Sequence, residues 1–240
     1  MFAFFIPAVG YAEIHYRFRY FFSLLKKAQP EIVADLPQRV QKSAELPLLI
    51  VIKDVDRYPI MLKSVTIFAD KKELRHEILN KKINAPYYDL ILPLKTNELA
   101  AGDHLFDVKI EYRCGKRNFI CYNDNYRGLS HAPLTCHISA RPLPRFAGYI
   151  YGDLHAHSNY TADQIEFGAS LRATARLARS MGLDFFAATD HSYDLDDMPG
   201  DYLQKDANLG KWRAFKSEVQ DFNNGRKDFC ILPGEEVSVG

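Results

Sequence analysis

From Leu46 to about Ala140, apolar residues recur with a period near two. Residues 48–52, 62–68, 88–92, 104–112 and 135–138 read as strands, separated by turns that carry Lys, Asn, Gly and Pro. Several short strands at such intervals predict a small, immunoglobulin-like β-sandwich over residues 45–141. Ahead of it, residues 1–44 are aromatic-rich and then polar. Phe18, Phe21, Phe22 and Leu25 have the spacing of a helix that docks on the next domain. Behind it, Pro142 and Pro144 stiffen a linker over 142–147, because each proline fixes φ and removes a backbone donor.

From residue 148 the period changes. Leu171, Ala175, Ala178 and Met181 share one helical face, and Gly182 stands where that helix would end. Trp212, Phe215, Val219 and Phe222 form a second stripe, closed by Asn223, Asn224 and Gly225. Before, between and after these helices lie short apolar runs at 149–151, 183–188 and 229–233. The order β-α-β-α-β predicts a parallel sheet with helices packed outside.

Polar chemistry is concentrated where each run ends. The first leads into Asp153-Leu154-His155-Ala156-His157 and then Asp163, the second into Thr189-Asp190-His191, the third into Gly234-Glu235-Glu236. Side chains two apart on a strand project to the same side, so His155 and His157 can grip one metal ion. A lone His at a strand end says little. Imidazoles and carboxylates at three successive strand ends describe a metal centre.

These residues resemble a known family. Gly-Asp-Leu-His-x-His-Ser, an Asp six residues after the second His, a Gly-Leu-Asp-Phe-Phe-Ala-x-Thr-Asp-His strand and a Pro-Gly-x-Glu strand are similar to the amino-terminal part of the polymerase and histidinol phosphatase (PHP) superfamily. The resemblance covers residues 148–240. It implies that the β-α-β-α-β units open a distorted seven-stranded (β/α)7 barrel with metals at the carboxyl ends of its strands, as barrel sites generally lie. The expected fold is therefore α+β and multidomain, a β-sandwich followed by a partial barrel truncated at residue 240. The family pattern also calls for two further His (or Cys) ligands and a late Asp-x-His. His15, His76, His104, His131 and His137 match none of these.

Carried over residue by residue, the resemblance makes His155, His157, Asp163, His191 and Glu236 the metal ligands, through which catalysis would run. His155 and His157 would share one ion with Glu236, which would bridge to a second, while Asp163 and His191 would hold a third. Asp153 and Asp190 would each receive an imidazole N–H and fix its tautomer. Glu235 would point to the other face. A mixed nitrogen and oxygen set favours Zn²⁺, Mn²⁺ or Fe²⁺ over Ca²⁺ or Mg²⁺.

Two or three such ions acidify a water and neutralise the charge that builds on a phosphate ester, so no Ser or Cys nucleophile is required. The implied activity is hydrolysis of a phosphomonoester or phosphodiester at a di- or trinuclear site, with these 240 residues expected to be incomplete and inactive by themselves. Two alternatives stand beside it: a non-catalytic PHP scaffold whose β domain does the binding, and a related amidohydrolase-like enzyme acting on C–N or C–O bonds. Between Ser192 and Gly210, an Asp-rich stretch with Tyr193, Tyr202 and Lys205 would shape the pocket, with Asp194, Asp196 and Asp197 in a solvated loop.

Composition narrows the partners. The 240 residues carry a net charge of +1, but residues 148–240 hold 9 Lys/Arg against 15 Asp/Glu, leaving 22 against 15 before them. An acidic part suits carboxylates gathered for cations, and a basic part attracts anions. The positive charge is dispersed without a basic run, which disfavours nucleic acid against other phosphorylated substrates. Cys114, Cys121, Cys136 and Cys230 form no Cys-x-x-Cys pair, so a reduced cytoplasmic protein is expected. The apolar opening before Ala12 resembles a secretory signal, yet lacks a preceding Lys or Arg and is broken by Pro7. No apolar run is long enough for a membrane span.

Overall fold

The computed structural model describes residues 29–126, 131–162, 166–199 and 201–237. Nine strands come first: β1 (Glu31–Asp35), β2 (Arg39–Gln41), β3 (Glu45–Lys53), β4 (Ile60–Ala69), β5 (Lys72–Ile83), β6 (Tyr87–Lys95), β7 (Gly102–Cys114), β8 (Arg117–Tyr122) and β9 (Leu134–Ser139). One sheet has the order β1-β3-β6, and the other β2-β9-β7-β4-β5 with β8 also paired to β7. Alternate residues of each sheet face a shared core. Ile32, Leu48, Ile50 and Ile52 meet Val65, Ile67, Phe106, Val108 and Ile110 there, all fully buried. The sandwich is thus built on the period-two pattern.

It begins earlier than residue 45. β1 pairs along β3 from Glu31↔Lys53 to Asp35↔Leu49, and β2 pairs in parallel with β9. The docking helix read at 18–25 falls outside the described residues. β5, with sequence KELRHEILNKKI, gave no apolar alternation, because it is an edge strand that pairs only with β4 and buries little. Its lysines suit an edge, where charge deters further pairing.

The second part contains β10 (Gly152–Ala156), α1 (Leu171–Ser180), β11 (Phe185–Ala188), α2 (Ser192–Leu195), β12 (Asp197–Met198), β13 (Asp201–Lys205), α3 (Gly210–Asn223) and β14 (Cys230–Pro233). α1 is capped by Ser170, whose Oγ accepts from the Ala173 N–H, and the chain leaves it through Gly182 at φ +83°. Phe215, Val219 and Phe222 of α3 pack with Leu171, Ala175 and Ala178 of α1 against Phe186 and Ile231 of the sheet. That sheet has the order β10-β11-β14, parallel throughout.

The expected opening of a (β/α)7 barrel is not found among the described residues. Strand dominates the described residues, and the parallel sheet of the second part has three strands and is open, with β10 and β14 at its edges. Leu154 on β10 is 71% exposed where a closed barrel would pack it. Local β-α-β periodicity sets which strands lie side by side; closure depends on how many follow. The fold is a β-sandwich joined to a small α/β sheet, and the description as a multidomain chain ending in a partial barrel is corrected accordingly.

The two parts share a packed seam. β3 reads as an unbroken apolar run because it is buried on both faces. Its Leu49 and Val51 turn away from the sandwich core and pack on Ala173 and Leu177 of α1, with Tyr87 and Phe167 beside them. Polar contacts flank the seam: Ser170 N–H donates to the Tyr87 hydroxyl at 2.9 Å, and Arg176 pairs with Glu45 at 2.5 Å. Burial, reinforced by the nearby Asp89 charge, raises the Tyr87 phenol well above its usual range, so it stays neutral there. Cleavage within 141–147 is therefore expected to leave two pieces that co-elute on size exclusion, and Leu177→Asp to separate them by burying a carboxylate among aliphatic side chains. Pieces that separate without the substitution would show that the seam does not hold them.

Among the described residues no helix is long and apolar enough to cross a membrane. The four cysteines are free thiols, and burial pushes that of Cys121 up to about 12.

Candidate metal centre

Parallel pairing aligns the three carboxyl ends. Ala156 lies beside Ala188, and Ala188 beside Pro233. Beyond β11 and β14 the ladder continues: Gly234 N–H donates to Ala188 O at 2.9 Å, Glu236 N–H to Asp190 O at 3.0 Å, and Ser192 N–H to Glu236 O at 2.9 Å. His191 and Glu236 thereby form a parallel bridge. His155 and His157 arrive from β10 on its other side.

Three of the expected ligands converge on one oxygen of a fourth. Glu236 Oε2 lies 2.9 Å from His157 Nε2, 3.2 Å from His155 Nε2 and 3.6 Å from His191 Nδ1. Two ligands held tetrahedrally at 2.0–2.1 Å from one ion stand about 3.3 Å apart. The side chain of His191 is fully buried, that of His157 is 10% exposed, and that of His155, on the rim, is 60% exposed. The rings pack on one another, with centroids 5.1 Å apart for His155 and His157 and 4.6 Å for His157 and His191. Tyr193 stacks on His191 at 4.7 Å.

The chemistry of the second ring nitrogens sharpens this. His157 Nδ1 lies 3.0 Å from the backbone carbonyl oxygen of Glu166, a group that only accepts, so Nδ1 carries the proton. His191 Nε2 lies 2.9 Å from Glu166 Oε2, again an acceptor. In the neutral rings, His157 Nε2 and His191 Nδ1 are then lone pairs aimed at a carboxylate oxygen. His191 Nδ1 is buried without a hydrogen-bond partner. Acceptors facing acceptors in a buried site repel unless a proton or a cation stands between them. Two groups could hold a divalent transition metal, His155 with His157 and Glu236, and His157 with Glu166 and His191.

The remaining expectations fare differently. Asp163 falls outside the described residues; among those described, Glu166 is the carboxylate at hydrogen-bond distance from His191 Nε2. Asp190 receives no imidazole N–H. It is completely buried and accepts four hydrogen bonds, from Ser158 N–H (2.7 Å), Ser158 Oγ (2.7 Å), Thr161 N–H (3.0 Å) and Thr161 Oγ (2.7 Å). Asp153 accepts from the backbone N–H of His155 at 3.1 Å, so it too fixes backbone and not a tautomer. Glu235 is exposed. Asp194 and Asp197, expected in a solvated loop, are 1% and 5% exposed. Asp194 accepts from Ala162 N–H at 3.0 Å, Asp197 pairs with Lys211, and Asp196 pairs with Lys205 at 2.9 Å. Only Asp196 matches the solvated role in part.

His76, His104, His131 and His137 sit in the sandwich, each at hydrogen-bond distance from a local partner: Thr66, Asp70, Asp124 and Asp103 respectively. They are remote in role from the cluster, while His15 falls outside the described residues. Glu166 is the residue that pattern reading missed. It lies on no periodic face, and the local signal is Gly168. A Cβ there would come within 1.8 Å of the His157 carbonyl oxygen, so only glycine lets the loop return against His157. Gly168 N–H donates to Ser158 O at 3.0 Å and Asn159 N–H to Ala169 O at 3.1 Å, which pins Glu166 beside the two rings.

No protein-family model and no curated protein matches the chain. Among solved structures, the CARDB domain of PF1109 from Pyrococcus furiosus is similar over 47% of this chain and 98% of its own in a solution NMR structure, at 8% identity and TM-score 0.31. Its crystal structure in complex with di-metal ions matches over 49% and 93%, at 10% identity and TM-score 0.30. The sulfur carrier protein SoxY from Chlorobium limicola f thiosulfatophilum matches over 39% and 74%, at 10% identity and TM-score 0.23.

Proposed function

We propose that His155, His157, His191 and Glu236 hold a divalent transition metal and that the site hydrolyses a phosphoester, as the resemblance to PHP proteins implies. The observation that carries the metal reading is the pair of ring nitrogens, His157 Nε2 and the buried, unpartnered His191 Nδ1, that face one Glu236 oxygen. A bound divalent ion would supply an acidified water and compensate charge developing on the phosphoryl oxygens. Of the chain's own groups, His157 and His191 are fixed by Glu166 on their far nitrogens. His155 sits at the open side, where a substrate oxygen would approach. Glu236 supplies the negative charge that the imidazoles lack, which keeps the occupied site from carrying the full charge of the ion.

Phosphate release from an aryl phosphate is expected to require added Zn²⁺ or Mn²⁺, to stop on chelation, and to be lost on Glu236→Ala. Release that survives both treatments would place the chemistry elsewhere. Stoichiometric metal binding without any release would instead favour the scaffold reading.

A further inference from the structure

We infer that Glu166 is a positioning residue that locks His191 in the Nε2–H tautomer, with its Nδ1 lone pair turned to Glu236. This deepens the metal-site reading and rests on it for its functional meaning. His191 is enclosed: its side chain is fully buried, Tyr193 stacks on its face with planes 13° apart, and His157 meets it edge-on at 74°. The ring therefore keeps its place, and its remaining freedom is which nitrogen carries the proton. Two carboxylates compete for that proton, Glu166 Oε2 at 2.9 Å from Nε2 and Glu236 Oε2 at 3.6 Å from Nδ1. The shorter contact is a hydrogen bond and the longer is not, so the proton belongs on Nε2.

The same loop residue sets the neighbouring ring through a different atom. Its backbone carbonyl takes the His157 Nδ1 proton. On the side of Glu166 both rings thus present N–H groups, and on the side of Glu236 both present lone pairs. Although His157, Glu166 and His191 are close enough to be considered as ligands together, neither ring has a lone pair left there. Glu166 acts on the metal through the imidazoles. Outer partners of this kind orient the ring and raise its basicity, and losing one commonly costs about 10- to 100-fold in metal affinity.

Removing the carboxylate would leave a buried Nε2–H without an acceptor, a state that the ring relieves by moving its proton to Nδ1, where Glu236 accepts it. That proton then occupies the direction in which metal binds. The test is imidazole ¹⁵N NMR of the metal-free chain, with Zn²⁺ affinity measured alongside for the unsubstituted protein, Glu166→Ala and Glu166→Gln. The unsubstituted protein should show His191 as Nε2–H. Glu166→Ala should show Nδ1–H and bind Zn²⁺ about 10- to 100-fold more weakly. Glu166→Gln keeps an acceptor oxygen and should restore both. His157 should remain Nδ1–H throughout, since its partner is backbone, and so reports that the loop is intact. An Nδ1–H His191 in the unsubstituted protein would overturn the inference, as would Glu166→Ala with unchanged tautomer and affinity. Equal loss in the Gln and Ala variants would make Glu166 a ligand and overturn it too. Absence of Zn²⁺ binding in the unsubstituted protein would sink the metal reading, while the tautomers still decide the role of Glu166.

Discussion

Replacing His157 by alanine is expected to lower affinity for Zn²⁺ or Mn²⁺ by more than about 100-fold, beyond the loss typical of an outer partner, and to remove any metal-dependent phosphate release. The reason is position as well as chemistry. His157 is nearly buried, its Nε2 makes the closest approach to Glu236, and its other nitrogen is fixed by the Glu166 carbonyl. No other side chain of the cluster combines these. His155→Ala should cost less, because a ring 60% exposed on the rim can be replaced by water in a coordination shell. Competition against a chromophoric chelator would measure both variants. If His157→Ala binds metal as tightly as the unsubstituted protein, the four residues are only a hydrogen-bonded cluster.

That cluster was legible because its members sit where sequence pattern and strand geometry coincide. His155 near the end of β10 and His157 just past it both reach Glu236, and His191 and Glu236 follow the ends of β11 and β14, so pairing register brings them together. The sandwich core was legible for a similar reason: the inward positions of β4 and β7 alternate. Where alternation fails, the reading failed. β5 is polar on both sides, and residues 31–41 form two short strands separated by Leu36, Pro37 and Gln38. β3 could be recognised as a strand, but its double burial requires knowing that α1 lies on its outer face.

Residue type also misled where a polar group is satisfied by backbone. Asp190 precedes His191, which suggested an imidazole partner, yet on the strand its side chain points away from that ring and into the turn after His157. Glu166 does what was assigned to Asp190 and Asp153, from a loop that carries no periodicity. Assigning the three-stranded sheet to the opening of a (β/α)7 barrel was the largest error. Parallel order is a local property of β-α-β units, whereas closure is a property of the whole set of strands, and a resemblance in motifs at strand ends carries only the former.

Asp190→Ala should be among the most destabilising single substitutions in the α/β part, by about 3–5 kcal/mol. The carboxylate is completely buried and accepts from two backbone N–H groups and two hydroxyls, on Ser158 and Thr161, which are themselves 1% exposed. Truncation removes the charge together with its own desolvation cost, but strands four buried donors, and the two backbone N–H groups cannot turn elsewhere. Asp190→Asn keeps the shape and an acceptor oxygen. Its amide nitrogen must face a hydroxyl that can rotate to accept, so about 1–3 kcal/mol is expected. Trp212, the single tryptophan, packs against the core of this part and reports its unfolding without a signal from the sandwich. Urea titration followed by its fluorescence would give both values. The turn at Ser158–Thr161 immediately follows His157, so the destabilised Ala variant should also bind metal more weakly under conditions where it remains folded. A loss below about 1 kcal/mol for Asp190→Ala, less than one ordinary hydrogen bond of this kind, would mean that the four donors find other partners and that Asp190 does not build the turn.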